Sequence, residues 1–355
     1  MKILYLANIR IPTEKAHGIQ IMKMCEAFGD HGIEVELVVP WRFNHLKEDA
    51  FSYYGVKKNF KIKKVFSLDL VRFGKVGFLV QSISFAISSS FYSIIKKRDA
   101  FYSRDELPIW PLTFLRKNVV YEAHMPRYNF MVKRFTKIVA ISNGLKKFYI
   151  DNEISSNRIL VAHDGVDVED FNVTVNKEDL ASKLGIPLEK PVVMYLGRLD
   201  PWKGVETLLQ ASRLLPNVTV VVAGEGSQLR EFKINYPNVI FLGGTLYRDL
   251  PYNQKVADVL VIPNSAKSDV SRLYTSPLKV FAHMASGVPI VASDLPSIRE
   301  VLNESCAYFF EPDNSESLKE ALGRALVGGD KKGGLNIAST YSWKNRAEKI
   351  ITFTQ

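Results

Sequence analysis

The sequence predicts a parallel α/β protein of two domains, and three observations support this fold class. A chain of 355 residues is too long for one ordinary hydrophobic core. Its apolar, strand-like runs alternate with amphipathic helical segments, which is typical of parallel sheets. This alternation occurs twice, before and after a polar stretch that ends in "GIPLEK" at 185–190. We therefore expect two domains with a cleft between them.

Each half of the chain contains six candidate strands. Helical spacing of apolar residues in segments such as 205–215 indicates helices between them, and 342–353 predicts a final helix. We predict domains at 1–167 and 168–340, followed by a C-terminal helix at 341–355 that packs back toward the N-terminal domain. The strands are predicted at 2–7, 34–39, 100–104, 118–123, 137–142 and 158–163, and then at 192–197, 218–224, 239–244, 259–264, 289–293 and 307–311.

Composition favours a folded protein of a reducing compartment. Hydrophobic residues make up 46% of the chain and charged residues 24%. The two cysteines, Cys25 and Cys306, lack metal-ligand spacing and suggest neither a disulfide framework nor a zinc site. The N-terminal apolar run is short and ends at Arg10 without a small-residue cleavage site, so we interpret it as a buried strand and not as a signal peptide. A cytoplasmic location fits best.

The positive charge is concentrated in the first half. Residues 1–165 carry a net charge of +11 and residues 166–355 a net charge of −1, with basic clusters at 57–64 and 94–98. These clusters indicate either a solvated basic surface or attraction to an anionic membrane. No recognised nucleic-acid-binding motif accompanies them, which argues against a nucleic acid partner.

A long apolar segment at 76–95 resembles a membrane span at first sight. Six serines and a glutamine among its 20 residues argue against a spanning helix. Two alternatives stay open: a helix buried within the first domain, or one that also dips into a membrane surface.

Two cations follow a predicted strand in the second half. Ligands bind at the carboxyl ends of strands in open α/β sheets, so Arg198 and Lys203, after "VVMYLG", lie where a ligand is expected, and their charges suit phosphate. Ordinary surface charge is the alternative.

The segment "YTSPLKVFAHMASG" predicts a helix whose N-terminus can hold an anion. Ser276 is suited to the N-cap, Pro277 to the first turn, and Gly287 to the end of the helix. The free N–H groups near Leu278 and Lys279 and the Lys279 side chain would bind a phosphate. A cap with a purely structural role explains the same pattern.

Weaker candidates follow other strands. In "VVVAGEGSQL", Gly224, Glu225 and Gly226 form a turn that could admit a base, but they do not complete a dinucleotide-binding fingerprint. Gly18 could face phosphates or simply permit helix entry. His124, two residues after Glu122, could orient a sugar or assist acid/base chemistry, although a loop histidine is more often polar surface.

Taken together and in this order, "YLGRLDPWKG", "VAGEG", "ADVLVIPNS", "SPLKVFAHMASGVPIVASDLPSIREVL" and "YSWKNRAEKI" resemble the family-4 retaining glycosyltransferases. The likeness is dense over 191–304 and looser in the first half. It implies the GT-B architecture of two facing Rossmann-like domains, with the acceptor side in 1–167 and the nucleotide-sugar side in 168–340.

The resemblance also implies roles for individual residues. Arg198 and Lys203 would hold the diphosphate of a sugar nucleotide, with the backbone around Leu278 and Lys279 opposite, and no metal or other cofactor is expected. Fixed cations would stabilise the departing nucleoside diphosphate. The family typically carries two glutamates here, and this chain has Tyr274 and Ala282 at the matching spacing.

We therefore expect a cytoplasmic transferase, peripheral at the inner face of the membrane, that moves a hexose from a nucleotide sugar to a lipid-linked or polysaccharide acceptor with retention. Ala282 leaves open a member of the family that binds a nucleotide sugar or glycan without turnover. An NAD-dependent oxidoreductase is a third alternative, although it lacks the fingerprint. No Walker A loop, HExxH or GxSxG motif is present.

Overall fold

Two separate parallel sheets organise the chain in the computed structural model, which describes residues 1–328 and 333–355. The first compact unit contains Met1–His163 together with Trp343–Gln355, and the second contains Asp164–Ser342. The divisions thus fall at 163/164 and 342/343, close to the predicted 167/168 and 340/341.

The first unit contains a sheet with strand order β3-β2-β1-β4-β5-β6-β7, and all its pairings are parallel. The order reverses between β1 and β4, which makes the carboxyl edge of these two strands the expected ligand position. The strands are β1 Lys2–Leu6, β2 Glu34–Pro40, β3 Lys61–Val65, β4 Ala100–Ser103, β5 Val119–Ala123, β6 Lys137–Ala140 and β7 Ile159–Val161.

The predicted strand segments of this unit all contain strands, and sequence reasoning missed only β3. The central strands are apolar runs because helices cover both faces of a parallel sheet. β3 is different because it is an edge strand, in which Lys61, Lys63 and Lys64 are exposed. In the sequence this strand therefore has the pattern of a basic cluster and not of an apolar run. Charge on an edge strand discourages pairing with other chains.

The helices of the first unit connect the strands. Short 3₁₀ turns complete the connections. The helices are α1 Ala16–Asp30, α2 Ala50–Tyr54, α3 Gly74–Ile94, α4 Glu106–Ile109, α5 Asn143–Asp151 and, from the end of the chain, α14 Trp343–Thr354.

Helix α3 is the segment that resembled a membrane span. Among the described residues, it lies in the one helical stretch, Val71–Ile94, that is long and apolar enough to cross a membrane by length and composition, a test that soluble core helices also pass. Only 39% of its most apolar window is buried. One face packs on the first unit and the other is exposed, so the predicted domain helix is only half-buried.

Helix α14 returns the end of the chain to the first unit. Trp343, Ala347 and Ile350 are buried at helical spacing. Asn118 donates a hydrogen bond to the carbonyl of Thr354 (2.9 Å), which fixes the last turn of the helix next to β5.

The second unit contains a parallel sheet with strand order β10-β9-β8-β11-β12-β13. Its order reverses between β8 and β11. All six predicted strand segments of this half contain strands: β8 Val192–Leu196, β9 Thr219–Ala223, β10 Ile240–Gly243, β11 Val259–Ile262, β12 Ile290–Ser293 and β13 Ala307–Phe310.

Hydrophobic clusters lie on both faces of this sheet, formed by the strands and the helices that cover them. The helices are α6 Lys177–Leu184, α7 Val205–Ser212, α8 Leu229–Asn235, α9 Leu250–Gln254, α10 Leu278–Ser286, α11 Pro296–Arg299, α12 Ser315–Val327 and α13 Gly333–Ala338, with a π-helical turn at Val270–Tyr274.

Candidate functional site

The loop after β8 lies against the loop after β11, at the reversal point of the second sheet. The Ser265 N–H donates to the Trp202 carbonyl (3.1 Å). Gly204 has φ of +65°, and a Cβ at this position would lie 1.9 Å from the Pro263 carbonyl oxygen. Only glycine permits this approach, which brings the 3₁₀ turn Pro201–Lys203 to the ligand-binding edge.

Lys203 occupies the end of this turn. Its Nζ lies 3.6 Å from the centroid of the Trp202 ring, a cation–π contact. Burial lowers its pKa to about 7. No salt bridge to Lys203 is present in the described parts of the chain, 1–328 and 333–355. The effect of burial on the amine thus outweighs the opposing effect of the nearby Asp200 charge.

Lys279 lies in the first turn of α10, and its Nζ is shielded from solvent. The Nζ lies 4.1 Å from the centroid of the buried Tyr195 ring, and within the described residues it has no hydrogen-bond partner. Burial, and the charge of Lys203 second, lower its pKa well below the usual range. The structure thus places two amines close together at the carboxyl edge of the sheet.

Arg198 differs from these lysines because it is already paired. Its guanidinium donates from Nε and from one terminal nitrogen to the Asp200 carboxylate, both at 3.0 Å, and its side chain is 60% exposed. This pairing raises its pKa. Arg198 lies at the predicted edge, but it would have to leave or share Asp200 to bind an anion.

The prediction that Ser276 caps the α10 helix was wrong. The N-cap is Pro277, which makes no side-chain cap hydrogen bond, and the helix begins at Leu278. The Ser276 hydroxyl accepts from the Asp164 N–H (3.2 Å) at the start of the second unit. The first-turn N–H groups of α10 thus receive no side-chain cap, whereas Gly287 ends the helix in the left-handed conformation, as predicted.

The glycines after β9 serve the packing of the backbone. A Cβ on Gly224 would lie 1.8 Å from the Gly197 carbonyl oxygen, and one on Gly226 would lie 2.7 Å from the Leu199 Cβ. The carbonyl of Glu225 accepts from the Leu199 N–H (2.9 Å), and the Glu225 side chain is exposed. These contacts join the loops after β8 and β9 and place Glu225 at the same edge as Arg198.

Helix α10 carries a second buried polar group that sequence reasoning missed. His283 is fully buried one turn after Lys279, its Nδ1 contacts Gln254 Nε2 (3.1 Å), and burial lowers its pKa to about 3. Ala282, by contrast, lies in a hydrophobic cluster with 1% exposure. Tyr274 ends the π-helical turn before α10.

In the first unit, Gly18 lies in the first turn of α1. A Cβ there would lie 2.2 Å from the Tyr54 hydroxyl and 2.7 Å from Thr13 Cγ2. The Tyr54 hydroxyl accepts from the Thr13 N–H (2.7 Å) and closes the loop after β1. A packing constraint therefore accounts for this glycine, and its predicted phosphate contact stays a prediction.

His124 follows β5 and is held by a buried carboxylate. Its Nε2 lies 2.6 Å from Oε1 of Glu122, which is fully buried. Burial, and the charge of Arg104 second, lower the pKa of His124 to about 4. Since the carboxylate can only accept, Nε2 carries the proton and Nδ1 is left as an acceptor.

Glu122 is the centre of a wider network. Burial raises the pKa of its carboxyl, but Arg346 and His124 more than offset this effect and hold it well below the usual range. One Arg346 nitrogen lies 3.1 Å from Glu122 Oε1, Gln20 donates to the same oxygen (2.6 Å), and the Tyr102 hydroxyl donates to Oε2. The carboxylate is thus fully satisfied without a ligand.

Sequence reasoning missed Arg346, Tyr195 and His283. Arg346 had a detectable signal, because it shares the buried face of α14 with Trp343 and Ile350 at helical spacing. Tyr195 is part of a buried strand and gives no sign that a lysine lies over its ring. In the described ranges 1–328 and 333–355, no group of three His, Cys, Asp or Glu side chains could hold a metal ion.

The second unit is similar in sequence to known glycosyltransferases. Residues 190–327 match the family Glycosyl transferases group 1. Over 240 residues, 62% of the chain, the sequence is 29% identical to the UDP-Gal:alpha-D-GlcNAc-diphosphoundecaprenol alpha-1,3-galactosyltransferase of Escherichia coli, of which the match covers 57%. It is 26% identical over 238 residues, 60% of each chain, to the lipopolysaccharide 1,2-N-acetylglucosaminetransferase of Salmonella typhimurium. The matched part thus spans less than two thirds of either relative.

The fold prediction is confirmed by a solved structure. The crystal structure of Anabaena HepE in complex with UDP and glucose aligns with a TM-score of 0.77, covering 99% of this chain and 98% of that one at 16% identity. The chain has the α/β fold of two Rossmann-like domains that the GT-B class implies.

Proposed function

We propose that this protein transfers a hexose from a nucleotide-diphosphate sugar to a lipid-linked or polysaccharide acceptor, with retention of anomeric configuration, because residues 190–327 match the glycosyl transferases group 1 family. Relatives support this acceptor class, since the names of two of them include a diphosphoundecaprenol and a lipopolysaccharide. The residues that we propose to bind the donor sugar nucleotide lie in the second unit.

The observation that carries the proposal is the pair of desolvated amines, Lys203 and Lys279. An amine that is shielded from water favours its neutral form unless an anion is bound beside it. A diphosphate supplies that anion, and it would restore the usual protonation of both lysines. The uncapped first turn of α10 adds N–H groups and the positive end of the helix dipole.

These groups fit a reaction in which negative charge leaves the sugar. The bond from the anomeric carbon to the diphosphate oxygen breaks, and the acceptor oxygen forms a new bond on the same face. The acceptor proton passes to the departing phosphate. Lys203, Lys279 and the α10 N–H groups would stabilise the charge on the nucleoside diphosphate, and no metal or other cofactor is needed for that role.

His124 would serve the acceptor side as a hydrogen-bond acceptor. Its proton is held at Nε2 by Glu122, and its pKa of about 4 keeps it neutral near pH 7. A neutral Nδ1 can accept a hydrogen bond from a sugar hydroxyl but cannot donate a proton. We therefore assign His124 to orienting a hydroxyl and not to general acid catalysis.

The test is calorimetric titration of the protein with UDP-, GDP-, ADP- and dTDP-sugars, beginning with UDP-sugars because HepE was crystallised with UDP. We expect Lys203→Ala and Lys279→Ala each to weaken donor binding about 10- to 100-fold, the cost of a charge-assisted contact. Lys233→Ala, which removes an exposed lysine of α8, should leave binding unchanged.

Proton uptake gives an independent readout. Since Lys203 has a pKa of about 7 without ligand, donor binding should weaken as pH rises above about 7, where binding requires uptake of a proton. Titrations in buffers of different ionisation enthalpy measure that proton. A donor affinity that neither lysine affects, or no binding of any nucleotide sugar, would contradict the proposal.

A second candidate function is binding of a nucleotide sugar without turnover. Ala282 favours it, because this position lies in an apolar cluster where the resemblance implies a glutamate that contacts ribose. Tight donor binding without transfer to any acceptor or hydrolysis would support this function. Transfer with retained configuration, read from the anomeric proton signals of the product, would exclude it.

We further propose a cytoplasmic location, peripheral to the membrane. Both cysteines are free and buried, which agrees with a reducing compartment. The excess positive charge of residues 1–165 would attract anionic lipids. Fractionation of cells into soluble and membrane pools, with and without a high-salt wash, tests this location.

A further inference from the structure

Helix α3 has its polar side turned inward and its apolar side turned outward, the reverse of a helix on the surface of a soluble domain. Residues spaced four apart form much of the buried face, and all of them except Phe85 are small or polar. These residues are Gly77, Gln81, Phe85, Ser89 and Ser93. Large apolar side chains form the exposed stripe: Val76 (73% exposed), Leu79 (57%), Ile83 (44%), Ile87 (54%) and Phe91 (70%).

The inward face is held by specific hydrogen bonds. Gln81 Nε2 donates to Asn8 Oδ1 (2.8 Å), and Ser90 Oγ donates to the Pro108 carbonyl (3.3 Å). Rotation of α3 would break these contacts and leave buried polar groups unpaired. The contacts of the inward face therefore keep the apolar stripe exposed.

The segment that leads into α3 extends the apolar surface. Phe66, Leu68 and Phe73 are 65%, 45% and 62% exposed, and the Leu68 N–H donates to Ser84 Oγ on α3 (2.9 Å). Exposed apolar surface of this extent is unusual on a monomer and marks an interaction site.

Unpaired cations lie at both ends of the stripe. Arg72 and Lys75 lie at its start, and Lys96 and Lys97 follow its end. In the part of the chain that the structure describes, these four side chains form no salt bridge, and residues 70–98 contain no acidic residue. An apolar stripe with cations at its ends suits an anionic membrane surface. The stripe would contact the acyl chains, and the cations would contact the anionic headgroups.

We propose that the exposed face of α3, with the segment 66–73, is a docking surface for an anionic lipid bilayer. Charge complementarity selects the bilayer over a second copy of this chain. An antiparallel pairing of two α3 helices would bring Arg72 and Lys75 of one copy against Lys96 and Lys97 of the other, and like charges would meet.

The same helix touches the ligand-binding edge of the first unit. Asn8, which Gln81 and Ser82 hold, donates its own N–H to the Asp105 carboxylate (2.7 Å), so it links the loops after β1 and β4. A bilayer on α3 would therefore lie beside the edge where an acceptor is expected. The link between bilayer docking and the acceptor site rests on the proposed function, because only a lipid-linked acceptor would be delivered by the bilayer.

The experiment is cosedimentation of the purified protein with vesicles of phosphatidylcholine that contain phosphatidylglycerol, and with vesicles of phosphatidylcholine alone. We expect binding to the anionic vesicles, and a loss of about tenfold or more when Leu79, Ile83 and Ile87 are all changed to Gln. The matched control is Ile234→Gln in the second unit, which removes a side chain of similar type with 69% exposure and should not change binding.

A second variant separates charge from apolar contact. Lys96→Gln with Lys97→Gln should weaken binding to the anionic vesicles and should leave the weaker binding to phosphatidylcholine alone unchanged. Circular dichroism and thermal unfolding check that all variants fold, which is expected because the changed side chains are exposed.

Three outcomes would overturn the proposal. One is absence of wild-type binding to the anionic vesicles. Another is equal binding by the triple α3 variant and the Ile234→Gln control. The third is a wild-type dimer in sedimentation analysis that the triple variant dissociates, since the stripe would then contact a second copy. Donor titration in the absence of vesicles tests the proposed function separately, so either can fail alone.

Discussion

Glu122 shows how a single residue joins distant parts of the first unit. Its buried carboxylate contacts His124 two residues away and Arg346, which lies 224 positions along the chain on α14. Burial of one charge is costly unless its partner is present. The orientation of His124 therefore depends on the last helix of the chain.

We predict that Arg346→Met lowers the free energy of unfolding by about 3–5 kcal/mol, the cost of an unpaired buried charge. Urea denaturation measures this change. The matched control is Lys349→Met on the exposed side of the same helix, which should have little effect. The double variant with Glu122→Gln should recover part of the loss, because both charges are then absent.

If Arg346→Met were as mild as Lys349→Met, the carboxylate would have to be stabilised by other groups. Urea denaturation of Arg346→Met at a series of pH values would then show no rise in the pKa of Glu122. Either result is visible without a substrate, so this prediction does not depend on the proposed function.

At the scale of the elements, loops position the site more than the strands do. The loop after β8 is held against β9 at Gly224 and against β11 at Gly204. Helix α10 begins without a side-chain cap because the Ser276 hydroxyl accepts from Asp164 instead. These contacts join segments that are distant in sequence, so local patterns do not reveal them.

We predict that Gly224→Ala destabilises the second unit by about 1–3 kcal/mol, because the new Cβ would overlap the Gly197 carbonyl and push the loops after β8 and β9 apart. The control is Gly323→Ala in α12, where no atom lies within 4 Å of the new Cβ. That change should stabilise the helix by about 0.5–1 kcal/mol. Thermal unfolding of both variants makes the comparison, and equal shifts would contradict the predicted overlap.

At the scale of the whole molecule, three histidines are kept neutral by burial. The pKa is about 4 for His17 and His124 in the first unit and about 3 for His283 in the second. In the unfolded chain these groups take up a proton near pH 6.5. Between pH about 6.5 and 4 the unfolded state therefore binds more protons than the folded state.

We predict that the free energy of unfolding falls as pH is lowered through this window, by about 1.4 kcal/mol per pH unit for each histidine. Stability is fully present above pH about 6.5 and is lost below it. Chemical denaturation at a series of pH values measures the slope, and His124→Asn should make it shallower. Stability that stays constant from neutral pH down to pH about 4 would show that these histidines are accessible to protons in the folded state.

The sequence by itself determined the fold class and nearly every strand of the two sheets. An apolar run is a local signal, and a parallel sheet buried on both faces requires such runs in its central strands. Only the lysine-rich edge strand β3 lacked this signature. Arg198, Lys203 and Lys279 were predicted to bind a ligand from their positions after a strand and at a helix start, and this role stays a prediction.

Only the tertiary structure decided what state these side chains are in. It paired Arg198 with Asp200, lowered the pKa of Lys203 by burial and shielded the Lys279 amine from solvent. It also joined Glu122 to Arg346 and turned the apolar face of α3 outward. Burial and pairing depend on neighbours that are far away in the chain. The pKa of a group and the exposure of a face follow from those neighbours, so no local pattern contains them.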